Sequence, residues 1–126
     1  MKRSLVEVYA LAVCFVTLVC FVIALGIGIY DLIQIVNPEF TISSYTYERH
    51  QSNKAFLENW PKDKNRPQGE ELTRLRKESY QAALHSEKRG AIQSITMVFI
   101  IILIDVVVYI IHWYVAKRAR ATADAS

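Results

Sequence analysis

Three polar side chains interrupt an apolar stretch close to the C-terminal end of the chain. Ser94, Asp105 and His112 are separated by 11 and 7 residues. On an α-helix, with about 100° between successive residues, all three fall on one face. If this stretch lies in a bilayer, an ionised Asp105 costs at least about 2.5–3.5 kcal/mol, and it is expected to have a partner. The polar stripe of Ser94, Asp105 and His112 therefore predicts an intramembrane site for hydrogen bonding or ion pairing.

A second pattern runs along the N-terminal apolar stretch, where small or weakly polar residues recur at intervals of seven. In lipid, helices associate by close approach at small residues, because the lipid tails are as apolar as leucine. Ala24 and Gly28 form a small-xxx-small pair of this kind. We interpret the pattern as a helix-packing seam that comprises Ala10, Cys14, Thr17, Phe21, Ala24, Gly28 and Asp31.

An antiparallel arrangement of the two stretches would bring the seam and the stripe together. With the start of the first stretch level with the end of the second, Thr17 lies beside Asp105, and its hydroxyl can donate to the carboxylate. The same register predicts two ion pairs, Glu7 with Lys117 and Asp31 with Lys88 or Arg89.

Two apolar blocks carry these residues. Val8 to Tyr30 contains no charge, and Ala91 to Ala116 contains only Asp105. Since a helix needs about 20 apolar residues to cross a bilayer, both blocks are long enough. We therefore predict an all-α membrane protein, a two-span transmembrane helical hairpin with a mostly helical extramembrane loop. The alternatives are core helices of a soluble protein and, for the first block, a cleaved signal peptide, whose apolar region is usually much shorter.

The division of the chain follows from these blocks. Asn37-Pro38 ends the first helix, because proline cannot continue it. The alternation from Phe40 to Ser43 predicts a short extended segment, and the stretch from Tyr45 to Trp60 is predicted to be a helix. Gly90 is either a hinge or a position at which the preceding helix continues into the second span. The predicted segments are the N-terminal flank and first span (1–36), a polar loop (37–90) with a helix near 70–89, the second span (91–116), and a basic, then small-residue tail (117–126).

The basic residues indicate an orientation. Lys2 and Arg3 precede the first block, and further basic residues follow the second. By the positive-inside bias, both termini are cytoplasmic and the loop is external, in a bacterial inner (plasma) membrane. The ten Lys and Arg residues of the loop favour the reverse orientation. The isoelectric point near 8.9 does not indicate nucleic-acid binding, because the basic residues flank the apolar blocks or alternate with acids.

No catalytic, metal-binding or cofactor-binding set can be assembled from the sequence. Cys14 and Cys20 lie about 120° apart on one helix and are interpreted as apolar filler. His50 and His85 have no neighbouring Cys or His with which to hold a metal ion. We therefore expect a protein that is not an enzyme and that carries no cofactor and no metal.

Three functions remain for Asp105. The preferred one is a small non-catalytic accessory, assembly or regulatory subunit of a membrane complex, whose partners are the lipid bilayer and other membrane subunits or further copies of the chain. The alternative is a homo-oligomeric proton or ion conductor that uses Asp105. The third is an internal bond to Thr17 with no further role.

The conductor hypothesis rests on a resemblance in outline. Gly26 and Gly28 in the first block and Asp105 in the second form a pattern that is similar to the rotor-ring subunit of rotary ATP synthases. That family has a loop of a few residues, whereas the loop of this chain, 37–90, has 54, and the first block has no dense glycine repeat. No family is assigned.

Overall fold

Every regular element of the described residues is a helix. The computed structural model describes residues 3–125, so Lys2 of the N-terminal basic flank lies outside them. The helices are α1 (Leu5–Val36), α2 (Pro38–Thr41), α3 (Ser44–Arg49), α4 (Asn53–Leu57) and α5 (Gly69–Ala125). Both α1 and α5 are long and apolar enough to cross a membrane.

The ends of α1 follow from local chemistry. The backbone amide of Glu7 donates to the Ser4 hydroxyl at 3.1 Å, which satisfies one of the free donors of the first turn. The helix ends at Val36 because Asn37 leaves helical geometry before Pro38.

The short helices differ from the sequence prediction in two places. The extended piece predicted at Phe40 to Ser43 is wrong over its first half, because Pro38 starts a single helical turn that reaches Thr41. A single helix over 45–60 is also wrong. Helix α3 ends at Arg49, and Ser52 is extended and caps α4, because its hydroxyl accepts from the Ala55 amide at 3.1 Å.

Helix α5 begins at Gly69, whose φ of +64° is a left-handed conformation that glycine adopts without strain. Two acids, Glu70 and Glu71, lie in its first turn, where the helix dipole favours negative charge. The helix then runs unbroken through Gly90, so this glycine is not a hinge. It continues as far as Ala125, through the segment predicted as a tail.

The chain divides into two compact units. The first, called the helix-pair unit below, comprises Met1–Tyr30 and Ser94–Ser126, and the second, called the loop unit, comprises Asp31–Gln93. The loop unit takes in the last turns of α1, because the Gln34 amide donates to the Glu87 carboxylate at 2.8 Å and approaches the Glu87 carbonyl at 3.4 Å.

Candidate functional site

Within the helix-pair unit, α1 has one buried face. Of the predicted seam, Ala10, Cys14, Thr17 and Ala24 are buried, and Phe21 and Gly28 are half-buried. Asp31 is also buried and belongs to the loop unit. The large apolar side chains on the other faces of both helices are exposed, including Phe15, Val22, Phe99 and Ile104.

Three contacts define how the two helices of this unit meet. A Cβ atom placed on Gly28 would lie 3.4 Å from Val98 Cγ1. The Cys14 thiol donates weakly to the Tyr109 carbonyl at 3.8 Å. The Tyr9 and His112 rings meet edge to face, with centroids 5.9 Å apart. As residue numbers rise along α1 they fall along α5, so the two segments run antiparallel.

Asp105 borders a small cleft near the middle of the apolar part of α5. Its carboxylate is half-buried, and the cleft has a volume of about 150 Å³. Among the described residues, no hydrogen bond or ion pair is formed by the Asp105 side chain. The carboxylate is therefore a hydrogen-bond acceptor that lies among mostly apolar side chains. The cleft is lined by Thr17, Leu18, Phe21, Asp105, Val106 and Tyr109.

The hydrogen bond predicted between Thr17 and Asp105 is wrong. The Thr17 hydroxyl donates to the Cys14 carbonyl of its own helix at 2.8 Å. A hydroxyl has a single proton, and a buried threonine in a helix commonly donates it to a carbonyl of the preceding turn. Thr17 still lines the same cleft as Asp105, but it leaves the carboxylate without this donor.

The three residues of the polar stripe do not converge on one point. The His112 Nδ1 lies 2.8 Å from the Val108 carbonyl. Because a carbonyl can only accept, Nδ1 carries the proton, and in the neutral ring Nε2 is an acceptor. Seven residues of helix separate Asp105 from His112, which is about 10 Å. Ser94 is half-buried and lies farther from Asp105 along the helix.

The contact of Glu7 differs from the predicted one, because Glu7 lies beside Arg3. Its side chain is only 4% exposed, and its Oε1 lies 3.9 Å from Arg3 Nε, one helical turn away. The predicted partner, Lys117, lines the same cleft as Glu7 and Arg3. The pairing of Asp31 with Lys88 or Arg89 stays a prediction.

The loop unit contains a polar cluster around His50 that sequence reasoning missed. The ring is buried; its Nδ1 donates to the Thr46 carbonyl at 2.6 Å, and its Nε2 lies 2.9 Å from the Ser79 hydroxyl. Phe56 and Tyr80 lie against the imidazole, with ring centroids 5.7 and 5.5 Å away. The one available signal in the sequence is Ser79, a polar residue that shares a helical face with Leu72 and Leu75 in the predicted 70–89 helix.

Tyr80, which packs on His50, has a raised pKa. Its hydroxyl is buried without a hydrogen-bond partner of good geometry. Burial raises the pKa of Tyr80 from 10.0 to about 12, and the nearby Glu39 carboxylate adds to the rise, because it attracts the phenol proton as a hydrogen-bond acceptor and repels a phenolate. Tyr80 therefore stays neutral and stabilises the cluster by packing.

Three further observations concern metal binding, the thiols and the His50–Ser79 contact. The described residues contain no group of three His, Cys, Asp or Glu side chains that could hold a metal ion. Cys14 is buried and Cys20 exposed, and both are free thiols. The His50–Ser79 contact places a hydroxyl beside an imidazole, but Ser79 lies inside α5, where the backbone amides are engaged by the helix and offer no oxyanion site.

Comparison of the chain with protein-family models, with curated proteins and with solved structures finds no match in any of the three.

Proposed function

We propose that the chain is an integral membrane protein that acts as a non-catalytic accessory, assembly or regulatory subunit of a membrane complex. In this proposal α1 and the apolar part of α5 form a two-span hairpin, the loop is external, and both termini are cytoplasmic in a bacterial inner membrane. The observation that carries the proposal is the Asp105 carboxylate, which has no intramolecular partner among the described residues.

The exposed apolar surface of the helix pair supports the proposal that lipid surrounds these helices. Phe15, Val22, Phe99 and Ile104 are each between 60% and 68% exposed, and similar side chains surround both helices. Exposed apolar surface of this extent is rare in monomeric soluble proteins and marks a membrane or protein interface.

The packing of the pair leaves Asp105 available to a further helix. The pair meets at small residues such as Ala10, Ala24 and Gly28, which need no polar contact. Asp105 instead faces an open cleft together with Leu18 and Val106. A lysine, arginine or hydroxyl group on a neighbouring span at the same depth would satisfy the carboxylate and offset its cost in lipid.

The conductor alternative has less support. A proton path would have to join Asp105 to His112 over about 10 Å. The His112 Nδ1 proton is donated to the Val108 carbonyl, and the ring packs on Tyr9. No second carboxylate lies in the apolar part of α5 to relay a proton.

The test is affinity purification of the full-length chain in a mild detergent, followed by mass spectrometry. We expect one stoichiometric membrane complex. Because a hydrogen bond to a charged group is worth about 1.5–3 kcal/mol, Asp105→Asn should weaken co-purification by about 10-fold to 100-fold. Asp105→Glu keeps the charge and should retain most of the complex.

Reconstitution into liposomes separates the two functions. As an accessory subunit, the purified chain should be electrically silent. Proton or cation leakage that stops with Asp105→Asn, in a homo-oligomer whose assembly is unchanged, would refute the accessory function and establish the conductor.

A further inference from the structure

A second cleft of the helix-pair unit lies between the first turn of α1 and the C-terminal part of α5. Its volume is about 430 Å³. Three basic side chains line it, Arg3 from the start of the chain and Lys117 and Arg120 from α5, together with the carboxylate of Glu7. Trp113 forms part of the wall one turn before Lys117.

The charges of this cleft are unbalanced. Three cations face one carboxylate, which leaves two positive charges uncompensated. The contact between Arg3 Nε and Glu7 Oε1 is 3.9 Å, longer than a charge-assisted hydrogen bond of about 2.7–2.9 Å. Arg3 can therefore turn its remaining donors to another anion while Glu7, which is buried, holds it at the edge of the cleft.

The positions of the other groups fit a membrane surface. Lys117 and Arg120 are three residues apart, so they point from the same side of α5, and both are exposed. Trp113 stacks on Tyr109 with ring centroids 6.2 Å apart and planes 9° apart. Tryptophan and tyrosine concentrate at the headgroup level of bilayers.

We propose that this cleft binds the headgroup of an anionic phospholipid, with Arg3, Lys117 and Arg120 holding its phosphate oxygens. Guanidinium groups match phosphate in shape and charge, and two uncompensated positive charges favour a lipid that carries two phosphates. The acyl chains would lie on the exposed apolar surface beside Trp113. The proposal rests on the membrane insertion stated above, but it does not involve Asp105.

A pair of arginines on α5 gives a matched test. Arg120 lines this cleft, whereas Arg118, two residues away on another face, lines a different one. Purified full-length protein in micelles is titrated with cardiolipin, phosphatidylcholine or inorganic phosphate, and bound lipid is counted by native mass spectrometry. We expect cardiolipin to bind, with about fivefold weaker affinity in Arg120→Gln and less than twofold in Arg118→Gln, since one basic residue at a membrane surface contributes about this much.

Two results would overturn the proposal. Equal losses in Arg118→Gln and Arg120→Gln would show diffuse attraction by the basic flank. Displacement of cardiolipin by an equal concentration of inorganic phosphate would show a site for free anions. Asp105→Asn separates this proposal from the proposed function, because it should weaken partner co-purification and leave cardiolipin affinity unchanged.

Discussion

The helix-pair unit and the loop unit are both helical, but different forces hold them. In the helix-pair unit, the helices approach at small residues such as Ala10 and Gly28, and large apolar side chains point outward. In the loop unit, short helices are held by caps and by side-chain hydrogen bonds centred on buried His50.

The difference follows from the kinds of interaction that can stabilise each unit. Where the surroundings are apolar, burial of large apolar side chains brings no gain, so close backbone approach decides packing. In the proposed topology the loop unit lies in water; it buries few large apolar residues, among them Phe56 and Leu72, and it depends on specific polar contacts. The helix-pair unit should therefore be most sensitive to the enlargement of a small residue, and the loop unit to the removal of a hydrogen-bonding side chain.

Enlarging the smallest residue of the helix pair should have the largest effect. A Cβ on Gly28 would already touch Val98 at 3.4 Å, so Gly28→Leu forces the helices apart. We expect a loss of about 1–3 kcal/mol. Titration with SDS, followed by Trp113 fluorescence, measures this stability.

Gly26 provides the control, because among residues 3–125 no atom beyond its own helical turn lies within 4 Å of a Cβ placed there. Gly26→Leu should leave the SDS midpoint nearly unchanged. If Gly26→Leu and Gly28→Leu were equally disruptive, close approach at Gly28 would not be what holds the pair.

In the loop unit, removing one hydroxyl should have a comparable or smaller effect. Ser79→Ala leaves the buried Nε2 of His50 unpaired, which costs about 1–3 kcal/mol. Hydrogen exchange of the amides in α3 and α4 should speed up by about tenfold or more.

Ser86 lies on the same helix and is exposed, so Ser86→Ala is the matched control. It should leave exchange in α3 and α4 unchanged. Unchanged exchange in Ser79→Ala would mean that the His50–Ser79 contact contributes nothing to the loop unit.

The smallest effect is expected at high pH. Because Tyr80 has a folded pKa of about 12 against 10.0 when unperturbed, the folded chain keeps a proton that the unfolded chain loses. Its contribution is fully present below about pH 10 and is lost as pH rises toward about 12. Ultraviolet titration should show a late component that Tyr80→Phe lacks; identical titration curves for the two proteins at high pH would contradict this.

The sequence carries more information about the helix pair than about the loop unit. Residues spaced by seven and four, such as Ala10, Cys14 and Thr17, share a face by helical geometry alone, and these three are buried. Pro38 likewise ends α1 because of its own covalent structure.

Contacts of individual side chains could not be predicted in this way. Thr17 had two acceptors within reach, and periodicity does not choose between the carbonyl of Cys14 and the carboxylate of Asp105. His50 directly follows α3 and Ser79 lies in α5, 29 residues away, and no repeat links them. The break in the predicted 45–60 helix includes Ser52, whose extended backbone and capping hydroxyl start α4.

The most direct test of the central claim, that Asp105 has its partner on another polypeptide, is photocrosslinking in the native membrane. A photoreactive amino acid replaces Leu18, which lines the Asp105 cleft, or Leu103, which is exposed on another face of α5. The account predicts a discrete protein adduct from position 18 that disappears with Asp105→Asn, and lipid adducts alone from position 103. Lipid adducts alone from both positions, or a protein adduct that survives Asp105→Asn, would contradict it.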